Sequence, residues 1–261
     1  MTDSLAELSL LDLLLVYGLL LSTVALVRWQ RIGQERDLLW SSVRMMVQLL
    51  LVGYLLQAVF ALAEPAAVLL ILLLMAVFAV HLVGGRVRQK MPRFYAIVGA
   101  AMFTGCGGAT FFLCTLVIGL TPWYDPRYLI PLCGMVIGNS MTGASLAAER
   151  LGAEMVERRL EIETSLCLGA TARQASAEVL RSAFRAALIP SINAMAAMGI
   201  VFLPGMMTGQ ILAGAEPLLA VRYQIAIMCV ITTSVAVTSY LILLLGYRSY
   251  FTRAQQLRSD F

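Results

Sequence analysis

The chain alternates apolar runs of about twenty residues with short connections that hold nearly all of its basic residues, and this pattern leaves few ways to fold. Lipid offers a bare peptide group no hydrogen-bond partner, so each run must close its own backbone as a helix. At about 1.5 Å of rise per residue, some twenty residues then cross the hydrocarbon core. Seven spans are predicted, at 8–27, 38–62, 65–83, 94–120, 128–148, 188–214 and 218–247. The sixth is the least regular, because Pro204, Gly205, Gly209 and Gly214 interrupt it. Hydrophobic residues make up 60 % of the chain and charged residues 13 %, whereas a soluble domain is roughly 45–50 % apolar. The expected fold is an all-α polytopic membrane protein, one transmembrane domain over 1–261.

The basic residues orient it. Connections holding Arg28, Arg31 and Arg36, then Arg86, Arg88, Lys90 and Arg93, then Arg150 to Arg185, and finally Arg248, Arg253 and Arg258 carry sixteen Lys and Arg. The alternate side carries Arg127 and Arg222, and Arg44 lies inside the second span. This asymmetry predicts an outer N-terminus and an inner C-terminus. A net charge of +4 spread in this way serves topology and forms no patch for nucleic acid. The first residues contain Asp3 and Glu7 and no basic residue, unlike a cleaved signal peptide, so the first span is expected to be retained. The outer connections are short turns led by proline, at Pro65, at 121–126 and at Pro217.

Ionisable groups avoid the predicted midplane: Asp12, Arg44, His81 and Glu149 all fall near span ends. A proton-coupled carrier would keep a charge there, so that class is disfavoured. The single lysine, Lys90, is in a loop, which excludes a retinal Schiff base. His81 has no companion at ligand spacing, and no catalytic pair for an intramembrane protease is present. Cys106, Cys114, Cys133, Cys167 and Cys229 form no C-x-x-C pair and read as small core residues.

Mid-depth polarity comes from amides and hydroxyls: Gln48, Gln57, Asn193 and Gln224, and two clusters. In the fifth span, Asn139, Ser140 and Thr142 break an apolar run, and Gly134, Gly138 and Thr142 recur every fourth residue beside Met135, Asn139 and Gly143. In the sixth, LPGMMTGQILAG at 203–214 joins a helix break to Met206, Met207, Thr208 and Gln210. Interhelical hydrogen bonding would explain any of these residues singly. As clusters they are the candidate lining of a translocation path, the broken segment being the expected gate. Met206 and Met207 are soft donors or packing residues.

Residues 149–187 keep helical periodicity with Glu, Arg and Ala dominating and an apolar face of Leu151, Met155, Leu160, Ile162, Leu166, Val179, Leu180 and Phe184. LGAT at 168–171 reads as a turn, with Gly169 in a left-handed cap and Thr171 capping the next helix. A helix-turn-helix finger projecting inward suits a transporter driven by another polypeptide. This chain lacks a phosphate loop of its own, since Lys90 lies between Gln89 and Met91.

Glu163-Thr164-Ser165 with Gly169 six residues after the glutamate resembles the first half of the loop by which bacterial ABC-transporter permeases engage their ATPases. In the common form of that loop a proline follows the glycine sooner than Pro190 follows Gly169. A closer resemblance is to the FetB-like, UPF0014 family of permeases, carried by GMVIGNSMTGASLAAERL at 134–151, LGAT at 168–171, RAALIPSINAMAAMGIVFLPGMMTGQILAGAEPLLAVRYQI at 185–225 and GYRSYF at 246–251. The resemblance implies an iron-export permease of the cytoplasmic membrane, with plant relatives tied to aluminium tolerance. Two copies would assemble with two separate ATPase subunits, ATP and magnesium belonging to those partners. Glu163, Gly169, Ala170 and Thr171 would then contact or position the ATPase. The metal itself does not follow from the residues. An exporter of an amphipathic organic solute or lipid is the competing transport reading, and a membrane scaffold or sensor recruiting a soluble partner is the reading from another class.

Overall fold

The computed structural model describes residues 9–62, 64–252 and 254–258. Asp3, Glu7, the expected start of the first span at residue 8, Ala63 and Arg253 lie outside the described residues. Described residues are almost entirely helical, without a β-strand among them. The chain divides into two compact units, Met1–Leu62 and Ala63–Phe261.

The first unit is a helical pair, α1 (Leu10–Trp29) and α2 (Glu35–Leu62). Asp12, which the sequence places near a span end, has a local task there. Its carboxylate accepts from the Ser9 N–H at 2.9 Å while the Ser9 hydroxyl accepts from the Asp12 N–H at 3.3 Å, a reciprocal cap that answers two of the helix's unpaired donors. Tyr17 Oη donates to the Ser42 carbonyl at 3.4 Å and ties α1 to α2.

The second unit contains α3 (Pro65–Arg86), α4 (Phe94–Phe112) with a π-helical turn at Leu113–Val117, α5 (Pro126–Glu157), α6 (Arg159–Cys167), α7 (Ala172–Ala175), α8 (Ala177–Ala197), α9 (Gly205–Leu212) and α10 (Pro217–Ser249). Of the proline-led turns, Pro65, Pro126 and Pro217 each occupy the start of a helix, where a missing N–H costs nothing. Helix α10 packs against α4, α5 and α8, and α3 packs against α4 and α5.

Small residues set these separations. A Cβ on Gly143 of α5 would lie 2.6 Å from Val235 Cγ1, 3.2 Å from Ser239 Oγ and 3.5 Å from the Ala187 carbonyl, so α5, α8 and α10 meet at a point only glycine allows. Gly105 of α4 seats Thr238 of α10 in the same way. At the predicted inner end, the connection between α3 and α4 buries Val87 and Met91, and the Arg88 N–H donates to Glu149 Oε2 at 2.8 Å. Gly246 of α10 would place a Cβ 2.6 Å from Met91 Sδ. Burial pushes the phenol of Tyr250, just beyond α10, up to about 12, with the Glu149 carboxylate adding to the effect.

Among the described residues, six helices are long and apolar enough to cross a bilayer: Leu11–Trp29, Glu35–Leu62, Pro65–Arg86, Phe94–Val117, Pro126–Glu157 and Pro217–Ser249. The expected span at 188–214 is not one helix. It is the second half of α8, a non-helical stretch at 198–204 and the short α9. The expected arm at 149–187 likewise has no joint at either boundary. Helix α5 runs from the span through residue 149 to Glu157, and α8 starts at Ala177 and passes 187 unbroken.

Candidate coupling arm and translocation path

The arm is built from helix ends. Helix α5 is 32 residues long, about 48 Å at 1.5 Å per residue, longer than the roughly 30 Å hydrocarbon core. Its last turns bury Leu151 and Met155 completely, and Ile162 and Val179 are buried with them. Leu160 departs from the apolar face assigned to it, being 77 % exposed. Leu168, at the tip, is 85 % exposed.

The tip is a tightly specified turn. Gly169 has φ +91°, a conformation L side chains avoid. Thr171 caps α7: its Oγ1 accepts from the Gln174 N–H at 3.3 Å, and Gln174 Oε1 accepts from the Thr171 N–H at 2.9 Å. The Ala172 N–H donates to Gln255 Oε1 at 3.0 Å, fastening the C-terminal segment to the turn. Gly169 is exposed, and a Cβ there would meet no neighbour. Glu163 lies one helix back, half exposed and paired with Arg159 Nε at 2.9 Å. Gly169, Ala170 and Thr171 therefore form one surface feature, with Glu163 on α6 leading into it.

A node that the sequence reading missed joins the arm's two sides. Glu154 of α5 is 2 % exposed. Its Oε1 accepts from the Ser182 hydroxyl of α8 and lies 2.6 Å from Arg150 Nε, while Oε2 lies 3.7 Å from Arg158 Nε. A buried carboxylate is tolerated when it is paired and hydrogen-bonded. Here the pairing makes α5 and α8 a single body inside the arm. A glutamate within ERLGAEMVERR carries no sequence signal separating it from its exposed neighbours; only the register of α8 against α5 selects it.

The candidate path residues separate. Ser140 is fully buried, its Oγ 2.8 Å from Ser234 Oγ on α10, an interhelical clasp. Asn139 is exposed, and its amide donates to the Met135 carbonyl at 2.8 Å. Thr142, half-buried, donates to the Gly138 carbonyl at 3.3 Å. Asn139 and Thr142 thus share the outward face of α5, and Ser140 faces the core. Met206, Met207, Thr208 and Gln210 are half-buried on α9, which packs against α10, so within one copy they do not converge with the α5 cluster. Thr208 donates to the Pro204 carbonyl at 3.1 Å, closing the first turn of α9.

The break at 198–204 is anchored from α10. Gln224 is 8 % exposed, and its amide nitrogen approaches Met198 Sδ at 3.8 Å. The Oε1 atoms of Gln224 and Gln210 are both buried without a hydrogen-bond partner among the described residues. Two unanswered amide oxygens beside a helix break are a polar reservoir in an apolar setting. No group of three or more His, Cys, Asp or Glu is arranged to hold a metal ion among the described residues.

Comparison with known proteins covers nearly the whole chain. A family model described as "Uncharacterised protein family (UPF0014)" matches residues 10–251. The UPF0014 membrane protein slr1647 of Synechocystis is 40 % identical over 98 % of this chain and 99 % of its own. The "Probable iron export permease protein FetB" of Escherichia coli is 32 % identical over 93 % of each. The "Protein ALUMINUM SENSITIVE 3" of Arabidopsis thaliana is 32 % identical over 88 % of this chain and 83 % of its own. No solved structure matches.

Proposed function

Because the chain belongs to the UPF0014 family of membrane proteins, we propose that it is the membrane-spanning permease subunit of an ABC transporter. In this reading it exports iron or another metal across the cytoplasmic membrane, two copies working with two separate ATP-binding subunits. The observation that carries the reading is the unbroken passage of α5 from mid-membrane to Glu157. A helix without a joint transmits displacement along its axis, and α6 and the turn at Gly169 put a shaped, rigid tip at its far end. Leu168, projecting from that tip, is the apolar anchor for a groove on the ATPase, with Gly169, Ala170 and Thr171 positioning it and Glu163 at the rim. The Glu154 node passes the motion to α8, whose membrane half ends at the break beside Gln224. Asn139 and Thr142 on the outward face of α5, with Met206, Met207, Thr208 and Gln210 on α9, line the path once a second copy faces the first.

The test is reconstitution in proteoliposomes with a stand-alone ATP-binding subunit and, separately, without it. Iron should raise ATP hydrolysis of the complex, and iron should move only when both chains are present. Stimulation by lipids or amphiphiles but not by iron would transfer the assignment to an organic cargo. Uphill transport by the purified chain alone would remove the partner from the account.

A further inference from the structure

One hollow in the second unit belongs neither to the arm nor to the path. It is a half-open cavity of about 710 Å³ walled by α3, α4, the π-helical turn and α5, with Trp123 at its edge. Its lining contains no charged side chain. The two hydroxyls it includes are already engaged: Thr115 donates to the Phe111 carbonyl at 2.6 Å, and Thr110 is hydrogen-bonded with the Cys133 thiol. Cys106, Cys114 and Cys133, scattered in the sequence, come together in this one wall.

We propose that this cavity binds one acyl chain of a membrane lipid. Its volume falls within the roughly 300–1,000 Å³ usual for ligand sites. A polar ligand or an ordered water would find few partners in a lining this apolar, since a buried water needs about two to four. Left empty, the walls would forfeit their dispersion contacts. The walls come from helices of bilayer length, so the medium at the opening is hydrocarbon. Trp123 adjoins the turn that leads into α5, where an indole sits at headgroup level and would lie beside the upper part of the bound chain. The inference concerns a resident lipid and is independent of the proposed cargo. Its consequence is that α5, the lever helix, has a lipid chain as part of its packing through Cys133 and Ile137.

Trp123 provides the measurement. In the full-length chain carrying Trp29→Phe and Trp40→Phe, its fluorescence is followed in bilayers containing increasing fractions of phosphatidylcholine brominated near the top of one acyl chain. A variant that keeps only Trp29, an exposed residue, serves as the bulk-lipid reference. Quenching of Trp123 should saturate at about tenfold lower brominated fraction than that of Trp29, the mark of a site with selective affinity. Gly107→Leu, whose added side chain meets no atom within 4 Å at its Cβ, and Ala76→Leu on the opposite wall should each abolish the saturating phase while helical content and elution volume are kept. Quenching that only tracks the bulk fraction, or a saturating phase untouched by a folded filling variant, overturns the proposal. So does a Trp123 that is protected from quenching and crosslinks to a second copy. Should neither variant fold, the comparison of Trp123 with Trp29 decides alone.

Discussion

A carboxylate as deeply buried as Glu154 persists only while its charge is answered from several sides. Arg150 does so from its own helix, Arg158 from the residue just beyond that helix, and the Ser182 hydroxyl from α8. Both arginines are partly exposed, at 54 % and 37 %, so water can replace the carboxylate for them; nothing replaces them for the carboxylate. Glu154→Gln should therefore cost about 1–3 kcal/mol, which for a chain of this size lowers thermal unfolding by roughly 2–4 °C per kcal/mol. Arg150→Ala should cost at least as much, because it takes the nearest counter-charge from a carboxylate that water does not reach. Thermal unfolding in detergent measures both, and a Glu154→Gln variant as stable as its parent would show that the node holds nothing together. At this scale Ser140 is equally instructive. Adjacency in the sequence groups it with Asn139 and Thr142, yet adjacent helical positions point about 100° apart, and the neighbouring α10 claims Ser140 alone.

At the scale of elements, most of the pattern is written in the sequence. The proline-led turns, the two bilayer-length helices of the first unit, and the turn at Gly169 with its Thr171 cap all follow from local chemistry, and local chemistry is visible in one dimension. What is not legible depends on neighbours. A hydropathy window ends a span where charges begin, which puts a boundary at 148; α5 ignores it because Leu151, Glu154 and Met155 are buried under other elements. The same window joins α8 and α9 across a break that Pro204 and Gly205 only hint at. The tip makes the sharpest prediction. At φ +91°, Gly169→Val is strained by its backbone, while the open space around Cβ means that bulk alone collides with nothing inside the chain. Asn tolerates left-handed backbone better than Val does. In the reconstituted complex, Gly169→Val should lower stimulated ATP hydrolysis while Gly169→Asn retains most of it, both inserting normally. Equal loss in the two variants would place the cause in steric exclusion from the ATPase, and no loss in either would end the coupling role of the turn.

At the scale of the whole molecule, coupling to an ATP-binding subunit requires the arm to lie inside, the side that the arginine distribution predicts. The chain supplies its own reporter, because Cys167 at the end of α6 is exposed while Cys106, Cys114 and Cys133 are buried. With Cys229→Ala in place, Cys167 is the thiol open to a membrane-impermeant maleimide. Glu216 serves the opposite side: it precedes α10, is exposed and makes no side-chain cap hydrogen bond, so Glu216→Cys, in a chain also carrying Cys167→Ala and Cys229→Ala, should be harmless. In intact cells the thiol introduced by Glu216→Cys should label and Cys167 should not; in inverted vesicles the two should exchange. Labelling of Cys167 from outside would put the tip beyond the reach of any ATP-binding subunit, and a lever on that side has no motor to move it. The expected result would fix the direction in which force enters: upward through α5, across the buried glutamate to α8, and so to the break where Gln224 meets Met198.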